Sequence, residues 1–158
     1  MEKKYMKRSY LLIFLAFLFL GIFFAFLTKD GADYTDSGQL TFSIGTTTLL
    51  TEVVKTPEDR NQGLSGRTSL EPQTGMLFIF EEPGIYPFWM KDMNFPIDMI
   101  WIDEQWRIVD ISHNISPETY PQTFSSSLPI RYVLEVNAGF SRKNNLLSGM
   151  TLTPQKER

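Results

Sequence analysis

The chain has 158 residues, no cysteine and a formal net charge of −3. That length suits one domain with one sizeable core, and the lack of cysteine excludes disulfides, thiolate catalysis and thiolate metal sites. Beyond Leu27, 11 Lys and Arg stand against 17 Asp and Glu, which leaves −6, and this acidic balance argues against a nucleic-acid partner.

The N-terminal region predicts a membrane anchor. Leu11–Leu27 is an uninterrupted apolar run of 17 residues, and four basic residues precede it in segment 1–9. Such a run reaches the lower end of the roughly 17–25 residues that span a bilayer, and the positive-inside bias places segment 1–9 in the cytoplasm and the rest outside. A cleaved signal peptide is disfavoured, because its shorter apolar core ends in small residues. We expect a single-pass cell-membrane protein with residues 10–27 as a transmembrane signal-anchor.

Residues 28–38 are predicted to be a flexible linker, and residues 39–158 an extracytoplasmic β domain. The linker sequence is small, polar and acidic, which is typical of a tether. Its three aspartates lack the spacing of a helix-loop-helix calcium loop.

The domain begins with a predicted hairpin and a short helix. Residues 40–44 alternate apolar and polar side chains, a pattern typical of a strand. Thr47–Val54 is rich in β-branched residues and predicts the return strand. Thr56 as cap and Pro57 in the first turn predict a helix start, and Gly63 limits that helix to about two turns.

From Gly75 onward the pattern predicts strand after strand. The segment Ser112–Leu128 contains prolines and a serine run, which indicates a long surface loop. Many short strands with one short helix predict a mainly β fold, either a sandwich or a partly closed barrel. The predicted strands are Met76–Phe80, Tyr86–Met93, Ile97–Ile102, Arg107–Ile111, Ile130–Val136 and a short final strand within Leu146–Leu152.

Four charged residues lie among apolar residues of the predicted strands and turns. Burying an unpaired charge costs several kcal/mol, so these charges are expected to meet partners at one shared place, which we name the charged cluster. Two alternatives remain open: a pocket that binds a polar ligand, or ion pairs that fix strand register. The ligand-binding candidates are Arg67, Lys91, Asp98 and Glu135, together with Trp89, which shares a predicted strand face with Lys91.

No metal site or cofactor is predicted, and no catalytic residue is assigned. His113 is the only histidine, and without cysteine it could complete a zinc site only if carboxylates supplied the other ligands. The sequence contains no nucleophile-elbow pattern. Whether the protein is an enzyme is left open.

Several motifs occur together in one order. They are Thr56–Arg60 with Gly63-Leu64 and Arg67, then Gly75–Phe80, then Phe88–Lys91 with Pro96–Asp103, and then Val133–Gly139. Together these motifs resemble the domain of unknown function 192 family of small exported or membrane-anchored prokaryotic proteins. The resemblance covers about residues 42–152.

The resemblance implies a mainly β, sandwich-like fold and no established reaction. It maps the charged positions of the family onto the four residues of the charged cluster. The chain departs from the family pattern at Ser65, at Asp92-Met93 in place of Asn-Thr, and at Met150 in place of aspartate. The last change weakens any mechanism that needs a third carboxylate there.

Three functions are compatible with this sequence. The first is a binding module for a small polar or cell-envelope ligand. The second is a hydrolase or lyase of envelope material, with Glu135 or Asp98 as general base and Lys91 or Arg67 stabilising an anion. The third is a structural or protein-interaction domain with a buried ion-pair cluster. A closed cluster favours the third function, an open pocket with a raised carboxylate pKa the second, and an open pocket with ordinary pKa values the first.

Overall fold

The computed structural model describes residues 38–155. The predicted segment 1–9, the predicted anchor 10–27 and all but the last residue of the linker 28–38 lie outside this range. No helix within residues 38–155 has the length and hydrophobicity needed to cross a membrane. The elements are β1 (Gln39–Ile44), β2 (Thr47–Val54), α1 (Pro57–Gln62), β3 (Thr74–Gly84), β4 (Phe88–Trp89), β5 (Ile97–Ile102), β6 (Ile108–Ile115), a 3-10 turn (Pro117–Thr119), β7 (Thr123–Phe124), β8 (Ile130–Asn137), α2 (Phe140–Lys143) and β9 (Thr153–Pro154).

Seven strands form one sheet in the order β6-β5-β8-β3-β2-β1-β9, and β4 and β7 form a separate two-stranded ribbon. The strands pair antiparallel except β2 with β3, which are parallel. Because a parallel pair needs a crossover connection, the chain leaves the sheet between these two strands and forms α1 there. This crossover brings Leu64 and Leu70 onto one face of the sheet.

The sheet curls into a half-barrel whose open side is spanned by the C-terminal segment. The amide of Gly149 donates to the carbonyl of Ile108 at 2.8 Å, at the start of β6. A few residues later, Thr153 and Pro154 pair with β1 at the opposite edge. The partly closed barrel among the predicted folds is therefore confirmed, and a sandwich is not formed, because both packed faces belong to one curled sheet.

Alternation along the central strands divides the core into two clusters. The inner cluster lies inside the half-barrel and includes Leu77, Ile100 and Leu134. The outer cluster lies on the other face and includes Phe78 and Trp101. Successive side chains of a strand point to opposite faces, so strands buried on both sides are apolar almost throughout. A polar residue within one of these strands is therefore buried, and we expect it to have either a hydrogen-bond partner or a functional role.

The predicted elements agree with the structure for β1, β2, α1, β5 and β8, and differ around the ribbon. The predicted strand Tyr86–Met93 shortens to β4, because Pro87 precedes it and Asp92 takes a left-handed conformation with φ of 55°. β6 runs four residues further than predicted, to Ile115. The predicted helix forms with Thr56 accepting from the Asp59 amide, whereas the single turn α2 was not predicted.

Candidate functional site

A pocket of about 340 Å³ opens over the outer face of the sheet. Its walls come from α1, β3, β8 and the ribbon of β4 and β7. Most of the lining side chains are apolar or aromatic, with few charged groups among them. A concave, largely apolar cavity with a few polar groups is the usual form of a small-molecule site.

Glu135 contributes a carboxyl group to the pocket wall from the centre of the sheet. It lies on β8 between Met76 of β3 and Met99 of β5, its direct neighbours in register, and directly opposite residues share a face. Its side chain is only 5 % exposed. Within residues 38–155 no hydrogen bond or ion pair to this carboxyl group is found. Burial alone therefore raises the pKa of Glu135 to about 8.

Gly75 allows β3 to approach β8 directly at Glu135. A Cβ atom at position 75 would lie 2.8 Å from the Glu135 carbonyl oxygen, a distance that backbone atoms do not tolerate. A side chain at this position would therefore push the two strands apart. The glycine that opens the GMLF motif thus helps to fix the backbone that carries the carboxyl group.

Aromatic side chains form much of the remaining pocket wall. Phe78 and Phe88 meet edge to face with ring centroids 5.0 Å apart, and Phe80 stacks on Tyr86 at 3.6 Å. Trp89 lines the pocket and is 50 % exposed, which places it at the mouth. These rings pack on one another, and such aromatic pairs stabilise the wall beyond the burial of their area.

Arg60 is the charged pocket residue that sequence analysis missed. It projects from α1, its Nη1 donates to the carbonyl oxygens of Lys55 and of Ile79, and its guanidinium carbon lies 4.9 Å from the centroid of the Phe80 ring. The sequence placed Arg60 in a helix, but nothing in it indicated which face of the sheet that helix would cover.

The predicted charged cluster does not form. Arg67 makes a bidentate pair with Glu52, with both N–O distances 2.7 Å, and both side chains are partly exposed. This pair lowers the pKa of Glu52 through the hydrogen bonds from Arg67. Lys91 is exposed and is absent from the pocket wall. Of the five ligand-binding candidates, the structure brings only Trp89 and Glu135 to one pocket.

Asp98 is fully buried on the opposite face of the sheet from Glu135. It pairs in register with Val136, so it points to the inner side with that residue. Its Oδ1 accepts from the amides of Asn114 at 2.8 Å and Gly139 at 3.2 Å, and its Oδ2 accepts from the amide of Ser141 at 2.9 Å. The prediction that Asp98 and Glu135 share one site was wrong, because adjacent strand positions face opposite ways.

The arrangement can hold a small molecule against aromatic rings and present one carboxyl group to it. At pH values below about 8 this group is protonated and can donate a hydrogen bond. Within residues 38–155 there is no group of three or more acidic or histidine side chains that could hold a metal ion. The residues that line the pocket offer a ligand hydrogen bonding, ion pairing and aromatic contact.

Comparisons with known proteins agree with this fold. The family model DUF192, described as "Uncharacterized ACR", matches residues 40–154. A crystal structure of a "putative transcription regulator" from Sinorhizobium meliloti is 31% identical, with a TM-score of 0.68 over 73% of this chain and 92% of that chain. A protein of unknown function from Novosphingobium aromaticivorans is 24% identical, with a TM-score of 0.66 over 80% and 94% of the two chains, and shows the fold alone. No curated protein matches.

Proposed function

This chain belongs to the DUF192 family, and we propose that it is a membrane-tethered, extracytoplasmic binding module for a small polar or cell-envelope ligand. Membership confirms the resemblance found in the sequence motifs, and the family description names no reaction. The proposal for this chain therefore depends on the pocket rather than on any relative.

The observation that carries the proposal is the unpartnered carboxyl group of Glu135 in an open aromatic pocket. The carboxyl group borders the cavity, and a hydrogen bond formed there would contribute about 0.5–1.5 kcal/mol net. A ligand that supplied a partner would gain that free energy on binding, and the aromatic wall would contribute apolar contact. A purely structural carboxylate would be expected to have its partners within the fold, as Asp98 does.

The membrane tether is supported by the sequence. The apolar run Leu11–Leu27 follows four basic residues and precedes an acidic segment, which favours a cytoplasmic N-terminus and a domain on the other side. The acidic balance of the domain favours a partner other than nucleic acid.

An enzyme that acts on envelope material is the second candidate, and the raised pKa of Glu135 favours it. Such chemistry requires a general base whose pKa lies near neutrality. We place this candidate second because charge stabilisation must also be supplied, and the only cation among the pocket-lining residues, Arg60, already donates to two carbonyl groups.

The binding proposal is tested with the full chain in a non-ionic maltoside detergent. Thermal-shift measurements with envelope sugars, short peptides and small amines should identify at least one compound that raises the melting temperature. Trp89→Ala should weaken binding of that compound by about tenfold, since an aromatic contact at the mouth is lost. The matched control is Leu147→Ala, since Leu147 is 62 % exposed and lies outside the pocket wall.

Two outcomes would count against the proposal. Equal effects of Trp89→Ala and Leu147→Ala would place binding elsewhere. A complete absence of shifts with all three compound classes would remove the support for a ligand pocket. Release of product from any compound that binds would instead favour the enzyme.

A further inference from the structure

We propose that the pocket takes a small organic cation, whose alkylammonium group pairs with the Glu135 carboxylate and contacts the surrounding aromatic rings. This inference rests on the proposed binding function and adds the class of ligand. Two charged groups of the pocket carry it: Arg60, which has hydrogen-bond partners, and Glu135, which has none within residues 38–155.

The pocket offers a cation two kinds of attraction. The Glu135 carboxyl group has no ion-pair partner within residues 38–155, so it is available as a counter-ion. The faces of aromatic rings carry negative electrostatic potential, and Phe, Tyr and Trp rings surround organic ammonium groups in known recognition sites. Here Phe78, Tyr86, Phe88 and Trp89 line the same cavity as the carboxyl group.

The pocket already shows that its aromatic wall accepts a cation. The guanidinium carbon of Arg60 lies 4.9 Å from the Phe80 ring centroid, within the range of an attractive cation–ring contact. The other nearby ring, Tyr86, stacks on Phe80. A ligand cation beside Glu135 would repeat this type of contact deeper in the same cavity.

Anionic and neutral ligands fit the pocket less well. An anion would meet Glu135 and the aromatic faces, and the one cation on the wall, Arg60, is held by the carbonyl groups of Lys55 and Ile79. A neutral polyol needs several hydrogen-bonding groups, but Ser65 Oγ is bonded to the Lys91 carbonyl and Gln62 Nε2 to the Ser65 carbonyl. These two side-chain donors are therefore already used, and Asn61 and Thr123 are the neutral polar side chains of the pocket wall that remain for a sugar.

Binding of a cation would release a proton from Glu135. The protonated carboxyl group exchanges its proton, which goes to solvent, for the ammonium group, so charge balances. The titratable groups facing this site are Arg60 from α1, Tyr86 from the connection before β4, and Glu135 itself. The residues directly opposite Glu135 on the two flanking strands are Met76 and Met99. Glu135 is therefore the group expected to set the pH dependence.

The experiment measures binding of choline to the full chain in a non-ionic maltoside detergent by isothermal titration calorimetry. The comparison compound is the neutral alcohol in which a tert-butyl group replaces the trimethylammonium group of choline. Choline should bind about tenfold or more tightly than this alcohol. Its affinity should rise by about tenfold per pH unit as the pH increases towards about 8 and then level off.

Glu135→Gln should remove the preference for choline and its pH dependence, while binding of the neutral alcohol changes by less than about twofold. Glu104→Gln, at an exposed position outside the pocket wall, is the matched control and should change neither. Phosphocholine distinguishes the two sources of the cation: tighter binding than choline indicates a lipid headgroup, and weaker binding a free organic cation.

The inference is overturned if the neutral alcohol binds wild-type protein as tightly as choline, or if choline affinity is independent of pH between about 6 and 8. Either result would be compatible with the proposed binding function, provided that Trp89→Ala still weakens the binding of the compound that does bind. Failure of choline, the alcohol and every other compound class would overturn both proposals together.

Discussion

Asp98 and Glu135 are two buried carboxyl groups on neighbouring strands, and the fold treats them in opposite ways. Asp98 faces the inner side and accepts three backbone amide hydrogens. Glu135 faces the outer side, lies between two methionines in register and borders a cavity. Both carboxyl groups are buried, so burial does not distinguish the structural group from the candidate functional one. They differ in the number of backbone amides that donate to them.

The donors of Asp98 explain its structural role. They come from the end of β6, the turn at Gly139 and the first turn of α2. The amides of a helix start have no partner within the helix, so a carboxylate from β5 serves as the cap. One side chain thereby holds three segments together on the inner face.

The largest expected effect is that of Asp98→Ala. It would leave three backbone amides without an acceptor, one of them fully buried, and should lower the free energy of unfolding by about 3–5 kcal/mol. Urea denaturation of the full chain, followed by the fluorescence of the tryptophans, measures this loss.

The matched control is Asp103→Ala. Asp103 also accepts two backbone amides, from Gln105 and Arg107, but in a more exposed turn. Its loss should cost about 1 kcal/mol. Equal losses for the two variants would show that the inner carboxylate is no more important to the fold than an ordinary turn residue.

The second expected effect concerns Glu135 and has the opposite sign at alkaline pH. The folded-state pKa of about 8 lies above the ordinary value of 4.5. The contribution of a group with a raised pKa is fully present below the unfolded value and is lost as the pH rises through the folded value. The free energy of unfolding of the wild-type protein should fall by up to about 1.4 kcal/mol per pH unit between these two pKa values. That of Glu135→Gln should not, and this variant should therefore be the more stable protein above about pH 8.

Melting temperatures of both proteins between about pH 5 and pH 9 measure this difference. If Glu135 belonged to a buried ion pair, Glu135→Gln would lower the melting temperature at every pH at which the pair is ionised. The described structure contains no such pair, so the opposite sign is now expected at high pH. Parallel pH profiles for the two proteins would mean that the carboxyl group titrates as if exposed.

Sequence reasoning identified both carboxylates but could not assign them to separate sites. The apolar runs Ile97–Ile102 and Ile130–Val136 predicted the strands, and the two-residue period of a strand assigned the faces within each. The pairing of β5 with β8 decides that Asp98 lies beside Val136 rather than beside Glu135, and register depends on contacts between segments distant in the chain. The place of Arg60 in the site was unpredictable for a similar reason, because it depends on how the crossover places α1 against the sheet.

The smallest expected effect tests a third carboxylate, Glu52, which is exposed and paired with Arg67. The pair lowers the pKa of Glu52, so its contribution is present above the ordinary value of 4.5 and is lost as the pH falls through the lowered folded value. Because both side chains are about a third or more exposed, water screens the attraction and Arg67→Lys should cost less than about 1 kcal/mol. Urea denaturation near neutral pH measures it, with Arg142→Lys, at an exposed position of α2, as control. A loss as large as that of Asp98→Ala would contradict the comparison, because it would show that a solvent-exposed ion pair stabilises this fold as much as a buried carboxylate with three backbone donors.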